Sequence, residues 1–435
     1  MKFYLITYGC QMNKSDSERI AGFLCDLGWE KVERPEESDL IILNSCSVRQ
    51  SAEDRVIGEV KNLAELKKNN PRLVIAVTGC LPGRDKNNKL RQNFPGADLF
   101  FPIIDIVNLP QMLQNLGVYL SVSNSALDYL DFTPQYTNNF QAFIPIQTGC
   151  NNFCAYCVVP YSRGRERNRP VKKILQEVKK LADKGFLEII LLGQTVNNYQ
   201  APDEENFSKV NPFKNHFAAL LWELNQIGGL KWIHFTAADP QYMNDEIIAA
   251  LNLSKQVNYL HLPVQAGSDK ILSQMNRHYS KEKYLEIVAK IKKTRPGIAL
   301  GTDIIIGFPG ESAEDFLETV DLYKQADFDI SYNAKYSPRS GTPAFKMSDD
   351  VSREEKERRW WVLQNLMEEI VLRKNQIFKD KEIEVLVEKC ENGLCSGHTY
   401  EMKFAQLKGG ESLVGKIVKM KVEQAGMWVL RGEIV

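Results

Sequence analysis

Short apolar runs alternate with amphipathic stretches along the first hundred residues. The runs KFYLITYGC, DLIILNSC and RLVIAVTGC are each followed by apolar positions at helical spacing, the pattern of parallel strands joined by crossover helices. This predicts an α/β domain with a doubly wound parallel sheet. The first helix is expected to open at a capping box formed by Ser15 and Glu18, to bury Ile20, Phe23, Leu24 and Leu27, and to close at Gly28. Each strand pattern ends in a cysteine: Cys10, Cys46 and Cys80. The carboxyl ends of parallel strands share one sheet edge, so three thiols distant in sequence are drawn towards one place.

Residues 121–138, SVSNSALDYLDFTPQYTN, are polar and turn-rich and predict a linker. Six further strand patterns follow: AFIPIQ, LEIILLGQ, KWIHFTA, YLHLPV, IALGTDIIIGF and DISYNAKYS. They are separated by helical patterns such as KKILQEVKKLADKG and AEDFLETVDLYKQA. Repeated βα units predict a partial (β/α)6 barrel with its chemistry at the carboxyl ends of the strands. A charged helix from about Arg353 to Phe378 leads to short alternating strands and glycine turns, the pattern of a small antiparallel β-barrel. The expected division is 1–120, a linker at 121–138, 139–372 and 373–435.

Composition narrows the class. A chain of 435 residues is too long for one core, and 43% hydrophobic with 25% charged residues excludes disorder, collagen and coiled coil. Lys+Arg and Asp+Glu both total 55, so any nucleic-acid binding must use a local patch. The N-terminus MKFYLITYGC lacks a secretory pattern, and no apolar run approaches the roughly eighteen residues of a membrane span. A cytoplasmic protein without membrane contact is expected. There the nine cysteines stay reduced, which favours metal ligation or catalysis over disulfides.

Just after the first barrel strand, GCNNFCAYCVVPYSRGRERNR places Cys150, Cys154 and Cys157 in a C-x3-C-x2-C loop. Three thiolates can hold three irons of a 4Fe-4S cluster and leave the fourth open to a ligand. Zinc with a distant fourth ligand is the alternative at this point, although structural zinc normally has four closed ligands at tighter pairwise spacing.

With Tyr156 before the last cysteine and the (β/α) pattern downstream, this loop closely resembles the radical S-adenosylmethionine (SAM) enzymes. GCQMNKSDSE, NSCSVR and TGC resemble the methylthiotransferases, the first two most like the MiaB-type transfer RNA branch; LLGQ, HLPVQAGSD, TDIIIGFPGE and YSPRSGTP extend the likeness over essentially the whole chain. The resemblance implies a radical cluster on Cys150, Cys154 and Cys157 and a second 4Fe-4S cluster, carrying the transferred sulfur, on Cys10, Cys46 and Cys80. It further implies two SAM molecules, one as methyl donor and one as radical source. The substrate would be N6-isopentenyladenosine in the anticodon stem-loop of transfer RNA, methylthiolated at carbon 2, with a low-potential donor such as flavodoxin or ferredoxin and a monomeric enzyme. An sp2 C–H bond offers neither an acidic proton nor a leaving group, so ordinary bases and nucleophiles cannot activate it, whereas a carbon radical can.

Cofactor contacts are assigned to Tyr156, Gly193, Gln194, Gln265 and Ser268, with loop packing or solvation as the alternative for each. The run YSRGRERNRPVKK carries six basic residues against Glu166, so Arg163, Arg165, Arg167 and Arg169 are candidate RNA phosphate contacts. The C-terminal segment resembles a TRAM domain loosely, with His398 where an arginine is expected, and aromatics and lysines there suit RNA. TAADP at 236–240 and Thr195 depart from the family pattern and leave the contacts at those strand ends open. Cys25 reads as helix packing; Cys390 and Cys395 match no ligand motif, and a metal pair is the alternative. Two competing functions remain: a methylthiotransferase for a ribosomal protein, against which NSCSVR and the C-terminal barrel argue, and a non-catalytic iron–sulfur protein for RNA binding or electron transfer.

Overall fold

The computed structural model describes residues 1–47, 50–118 and 128–435. The first seven residues of the expected linker, 121–127, lie outside these. The N-terminal unit is a five-stranded, wholly parallel sheet of β1 (Lys2–Tyr8), β2 (Glu30–Lys31), β3 (Leu40–Ser45), β4 (Val74–Gly79) and β5 (Leu99–Phe100) in the order β2-β1-β3-β4-β5. Sequence patterning anticipated β1, β3 and β4; the two-residue edge strands β2 and β5 are too short to show a period. Every residue of β3 and β4 is buried, because helices cover both sheet faces. Two apolar cores result: one gathers Phe3, Leu40 and Ile42 with Ile20 and Leu24, the other Ile41, Leu43 and Ile75 with Val56 and Val60.

Helix α1 (Gln11–Asp26) corrects the sequence reading at one end. It begins directly after β1 with Cys10 as its N-cap, and Asn13 Oδ1 accepts from the Cys10 backbone N–H at 3.3 Å. Ser15 and Glu18 lie inside the helix, and the Glu18 carboxylate instead accepts from Thr137 N and Oγ1 at 3.1 and 3.0 Å. The other end is as expected. Gly28 takes φ +82° while its N–H and that of Trp29 close on Cys25 and Leu24 carbonyls.

Residues 128–138 connect the units while packed on α1. Tyr129 and Leu130 are buried, Phe132 stacks on Phe23 with ring centroids 4.2 Å apart, and buried Arg19 donates to the carbonyls of Leu130 and Phe132.

The central unit has six parallel strands in two sheets, β6 (Gln141–Pro145), β9 (Glu188–Leu192) and β10 (Trp232–Phe235), then β11 (Tyr259–His261), β12 (Ala299–Ile306) and β13 (Ile330–Lys335). A single parallel bridge, Ile233 to Gln256, joins them near β11. These are the six anticipated strands, forming a partial barrel. A short antiparallel pair, β7 (Gln147–Thr148) and β8 (Arg167–Asn168), brackets the C-x3-C-x2-C loop. The helix Arg353–Asn375 packs along β13 and continues through a turn at Gln376–Phe378.

The last unit is a closed five-stranded barrel, β14 (Glu382–Glu391), β15 (Leu394–Thr399), β16 (Phe404–Lys408), β17 (Ile417–Ala425) and β18 (Leu430–Ile434). All its pairings are antiparallel except β16 with β18. Cys390 and Cys395 form a disulfide, which overturns the expectation that all nine cysteines stay reduced. Asn392 and Gly393 both take positive φ, and the resulting tight hairpin sets Cys390 directly opposite Cys395.

This barrel sits against the amino ends of the central strands. Leu386, Tyr400, Met402 and Ile417 pack on Phe140, Trp232 and Val257. His398 is buried here, within 3.2 Å of Glu188 and 2.7 Å of Glu388. The histidine that stands where an arginine is expected is thus spent on this docking contact. Among the described residues no helix is long and apolar enough to cross a membrane.

Candidate active site

The N-terminal cysteines stand where strand geometry puts them. Cys10 follows β1, Cys46 follows β3 with its N–H on the Tyr8 carbonyl at 2.7 Å, and Cys80 opens α3 (Cys80–Arg84) straight after β4. Buried hydrogen bonds tie the three strand ends together: Asn13 Nδ2 donates to Asn44 Oδ1 at 3.1 Å, Asn44 Nδ2 donates back to the Asn13 carbonyl at 2.8 Å, and Ser45 Oγ donates to the Thr78 carbonyl at 2.7 Å. Gly79 makes the turn into α3 possible. Its φ is +101°, and a Cβ there would lie 2.4 Å from the Ser45 carbonyl oxygen. Cys10 is exposed, whereas Cys46 and Cys80 are buried.

The second triad lies at the carboxyl end of β6. Cys154 Sγ accepts from Arg277 Nη1 at 3.2 Å, Cys157 Sγ from the Val159 N–H at 3.5 Å, and Cys150 Sγ lies 3.4 Å from Thr195 Oγ1. Thr195 thus fills its departure from the family pattern with a contact to Cys150. Asp239, from the divergent TAADP, pairs with Arg277 at 3.0 Å and accepts from Asn152 Nδ2 at 3.0 Å.

Burial pushes the Cys150 and Cys80 thiols upward and Cys157 up to about 12. Thiols held this way are protonated at neutral pH and need a bound cation to become thiolates. Among the described residues no three His, Cys, Asp or Glu side chains converge as they would around one metal ion. A four-iron cluster takes each thiolate on a different iron, so the donors fit a cluster better than zinc.

One cavity of about 780 Å³ brings Cys10 to the second triad: Cys10, Gln11 and Met12 line it from the N-terminal unit and Cys150, Cys154 and Cys157 from the central one. Of the expected cofactor contacts, Tyr156, Gly193, Gln194 and Gln265 line it. Ser268 does not. It is buried and donates to Asp315 Oδ1 at 2.7 Å, which corrects its assignment. Sequence reading missed Arg277 and Asp239, which carry no spacing signal, and the far wall of Tyr259, His261, Tyr332 and Asp303. Tyr259 and His261 could have been found from strand alternation, since positions two apart on β11 share a face.

The basic run divides. Arg163 is buried between Cys80 and Asp16, and Arg169 donates to the Pro145 carbonyl at 2.8 Å and to Glu177 at 2.7 Å. Neither presents its fork to solvent, so the RNA role expected of them is corrected. Arg165 is exposed over the Phe153 ring, and Arg167 is half-buried on Asp128.

Residues 2–102 match the uncharacterized protein family UPF0004, 144–323 the radical SAM superfamily and 378–435 the TRAM domain. The fold is shared with the radical SAM methyltransferase TsrM of Kitasatospora setae, solved with cobalamin and a [4Fe-4S] cluster, at TM-score 0.56 and 14% identity over 91% of this chain and 77% of that one. Partial barrel and three-cysteine loop together define a radical SAM enzyme.

The relatives place it further. The chain is 41% identical to the tRNA-2-methylthio-N(6)-dimethylallyladenosine synthase of Thermoanaerobacter sp. (strain X514) over 100% of its own length and 92% of the relative's. It is 40% identical to the synthase of that name from Moorella thermoacetica, over 100% and 98%. It belongs to the tRNA-2-methylthio-N(6)-dimethylallyladenosine synthase family.

Proposed function

We propose that the shared cavity is where this enzyme converts tRNA N6-dimethylallyladenosine to its 2-methylthio derivative. The protein is a radical SAM methylthiotransferase with two 4Fe-4S clusters and SAM. The observation that carries the site assignment is that Cys10 and the Cys150, Cys154, Cys157 loop face one cavity. When bound, the cofactors supply a methyl group, a sulfur atom and a carbon radical able to attack an sp2 C–H bond.

The chain's own residues bind, orient and exclude water. Cys150, Cys154 and Cys157 hold the radical cluster, and Arg277, fixed by Asp239, steadies Cys154. Tyr156, Gly193, Gln194 and Gln265 form the SAM side of the wall. Cys10, Cys46 and Cys80 hold the sulfur-bearing cluster, with Cys10 nearest the shared space. Tyr259, His261 and Tyr332 offer the aromatic faces against which a purine can stack. Arg165 and Arg167 remain candidates for anticodon stem-loop phosphates. Both triads come from one chain, which supports action as a monomer. A low-potential carrier such as flavodoxin or ferredoxin would supply the electron that this chemistry needs, and a tRNA substrate supports a cytoplasmic setting.

A Cys10→Ala, Cys46→Ala, Cys80→Ala variant tests the assignment. It is expected to release 5′-deoxyadenosine from SAM while forming no 2-methylthio nucleoside, and its anaerobically reconstituted iron should fall from about eight per chain to roughly four. Methylthiolation at the wild-type level would overturn the role of this triad.

A further inference from the structure

Arg163 crosses from the central unit to the edge of the N-terminal sheet. Its side chain and that of Asp16 are each 1% exposed, and Nη2 meets Asp16 Oδ2 at 2.6 Å. Nε donates to Cys80 Sγ at 3.2 Å. Nη1 is buried without a hydrogen-bond partner, as is Asp16 Oδ1. The backbones behind these groups are in close register: a Cβ on Gly83, in the helix that Cys80 opens, would lie 2.1 Å from the carbonyl oxygen of Ser162, the residue before Arg163. Only glycine at 83 lets α3 approach this closely.

An ion pair that only stapled two units together would direct its donors to carboxylates and carbonyls. Here one nitrogen is given to a sulfur, and another is left dry. A buried donor without an acceptor forfeits its hydration with no return. The acceptors that chemistry offers beside Cys80 are the sulfides of the cluster it ligates. Charge and hydrogen bonds to cluster sulfurs are among the factors that set cluster potentials.

We infer that Arg163 is a positioning residue for the N-terminal cluster: it holds the Cys80 ligand and sets a fixed positive charge beside the cluster, so that the central unit tunes the sulfur-bearing site. Asp16 anchors the guanidinium and partly offsets its charge. The inference rests on Cys80 being a cluster ligand. An added electron makes the cluster more negative, so the nearby cation raises its reduction potential, and Asp16 opposes the rise.

The test uses full-length, anaerobically reconstituted protein, with iron per chain measured and both clusters titrated by electron paramagnetic resonance. Arg163→Met is expected to lower the potential of the N-terminal cluster, leave that of the radical cluster in place, and reduce methylthiolation more than 5′-deoxyadenosine release. Arg163→Lys should restore part of the shift. Asp16→Asn should move the same potential upward, an opposite sign that loosened packing would not produce. An unshifted N-terminal potential in Arg163→Met at full iron, or shifts of one sign in both variants, overturns the inference. Should Arg163→Met not retain its iron, the sign in Asp16→Asn decides. Full iron in Cys80→Ala would instead sink the ligand assignment on which the inference rests.

Discussion

Arg277 shows how much of this site is decided one residue at a time. Its guanidinium serves Cys154, Asp239 and Tyr279 together, and nothing in the local sequence MNRHYS marks it. The cysteines were legible because their spacing is itself the chemistry. The partners of their sulfurs were not, because hydrogen bonds across 83 and 123 positions leave no local pattern. Removing the Asp239 carboxylate leaves a buried cation uncompensated, a situation that typically costs about 3–5 kcal/mol. Asp239→Ala is therefore expected to lower the midpoint of chemical denaturation and to slow 5′-deoxyadenosine release, while the isosteric Asp239→Asn, which still accepts a hydrogen bond, should lose less of both. Equal, near wild-type behaviour of the two variants would show that the carboxylate is dispensable.

At the scale of elements, the strand ends matter more than the strands. β1, β3 and β4 were readable from apolar runs, yet the start of α1 was not: the capping signature of Ser15 and Glu18 lost to Cys10, because the sheet edge dictates where the chain turns. Gly79 carries that turn for Cys80. Gly79→Ala adds a methyl against the Ser45 carbonyl at a φ an L-residue disfavours, a strain of about 1–3 kcal/mol. Iron analysis of the reconstituted variant should show loss of the N-terminal cluster's share with the other retained. The Cys390–Cys395 hairpin makes a second check at this scale. The Asn392-Gly393 turn that sets its register was a readable signal, and alkylation of unreduced, cluster-free protein under denaturing conditions should label seven of the nine cysteines.

For the whole molecule, the C-terminal barrel closes part of the large cavity's floor. Met402 reaches the large cavity, and Glu188, fully buried at the start of β9, is matched by His398. Cutting the barrel away would bare Trp232 and Val257 and strand the Glu188 carboxylate, so substitution is the better probe of its role. Burial lowers the affinity of His398 for its proton, but Glu188 and Glu388 outweigh it and raise the pKa from an ordinary 6.5 to about 10. The stabilisation this gives is full below pH 6.5, declines across the interval, and is gone above about 10. Thermal midpoints of wild type should therefore fall more steeply between pH 6.5 and 10 than those of His398→Gln. Parallel curves would place the docking energy in the apolar contacts alone.

The sequence by itself determined the three kinds of fold unit, the strands that carry the chemistry, both cysteine triads and the family, because apolar period and cysteine spacing are local and their consequences survive any packing. Only the tertiary structure decided that Cys10 and the second triad open onto one cavity. The same holds for Arg163 and Arg169, which turn inward while Arg165 stays exposed, and for His398, which fastens a barrel to a barrel. Each of these depends on which distant surface meets a side chain. A charge run or a lone histidine reads the same whether water or a buried carboxylate waits opposite it.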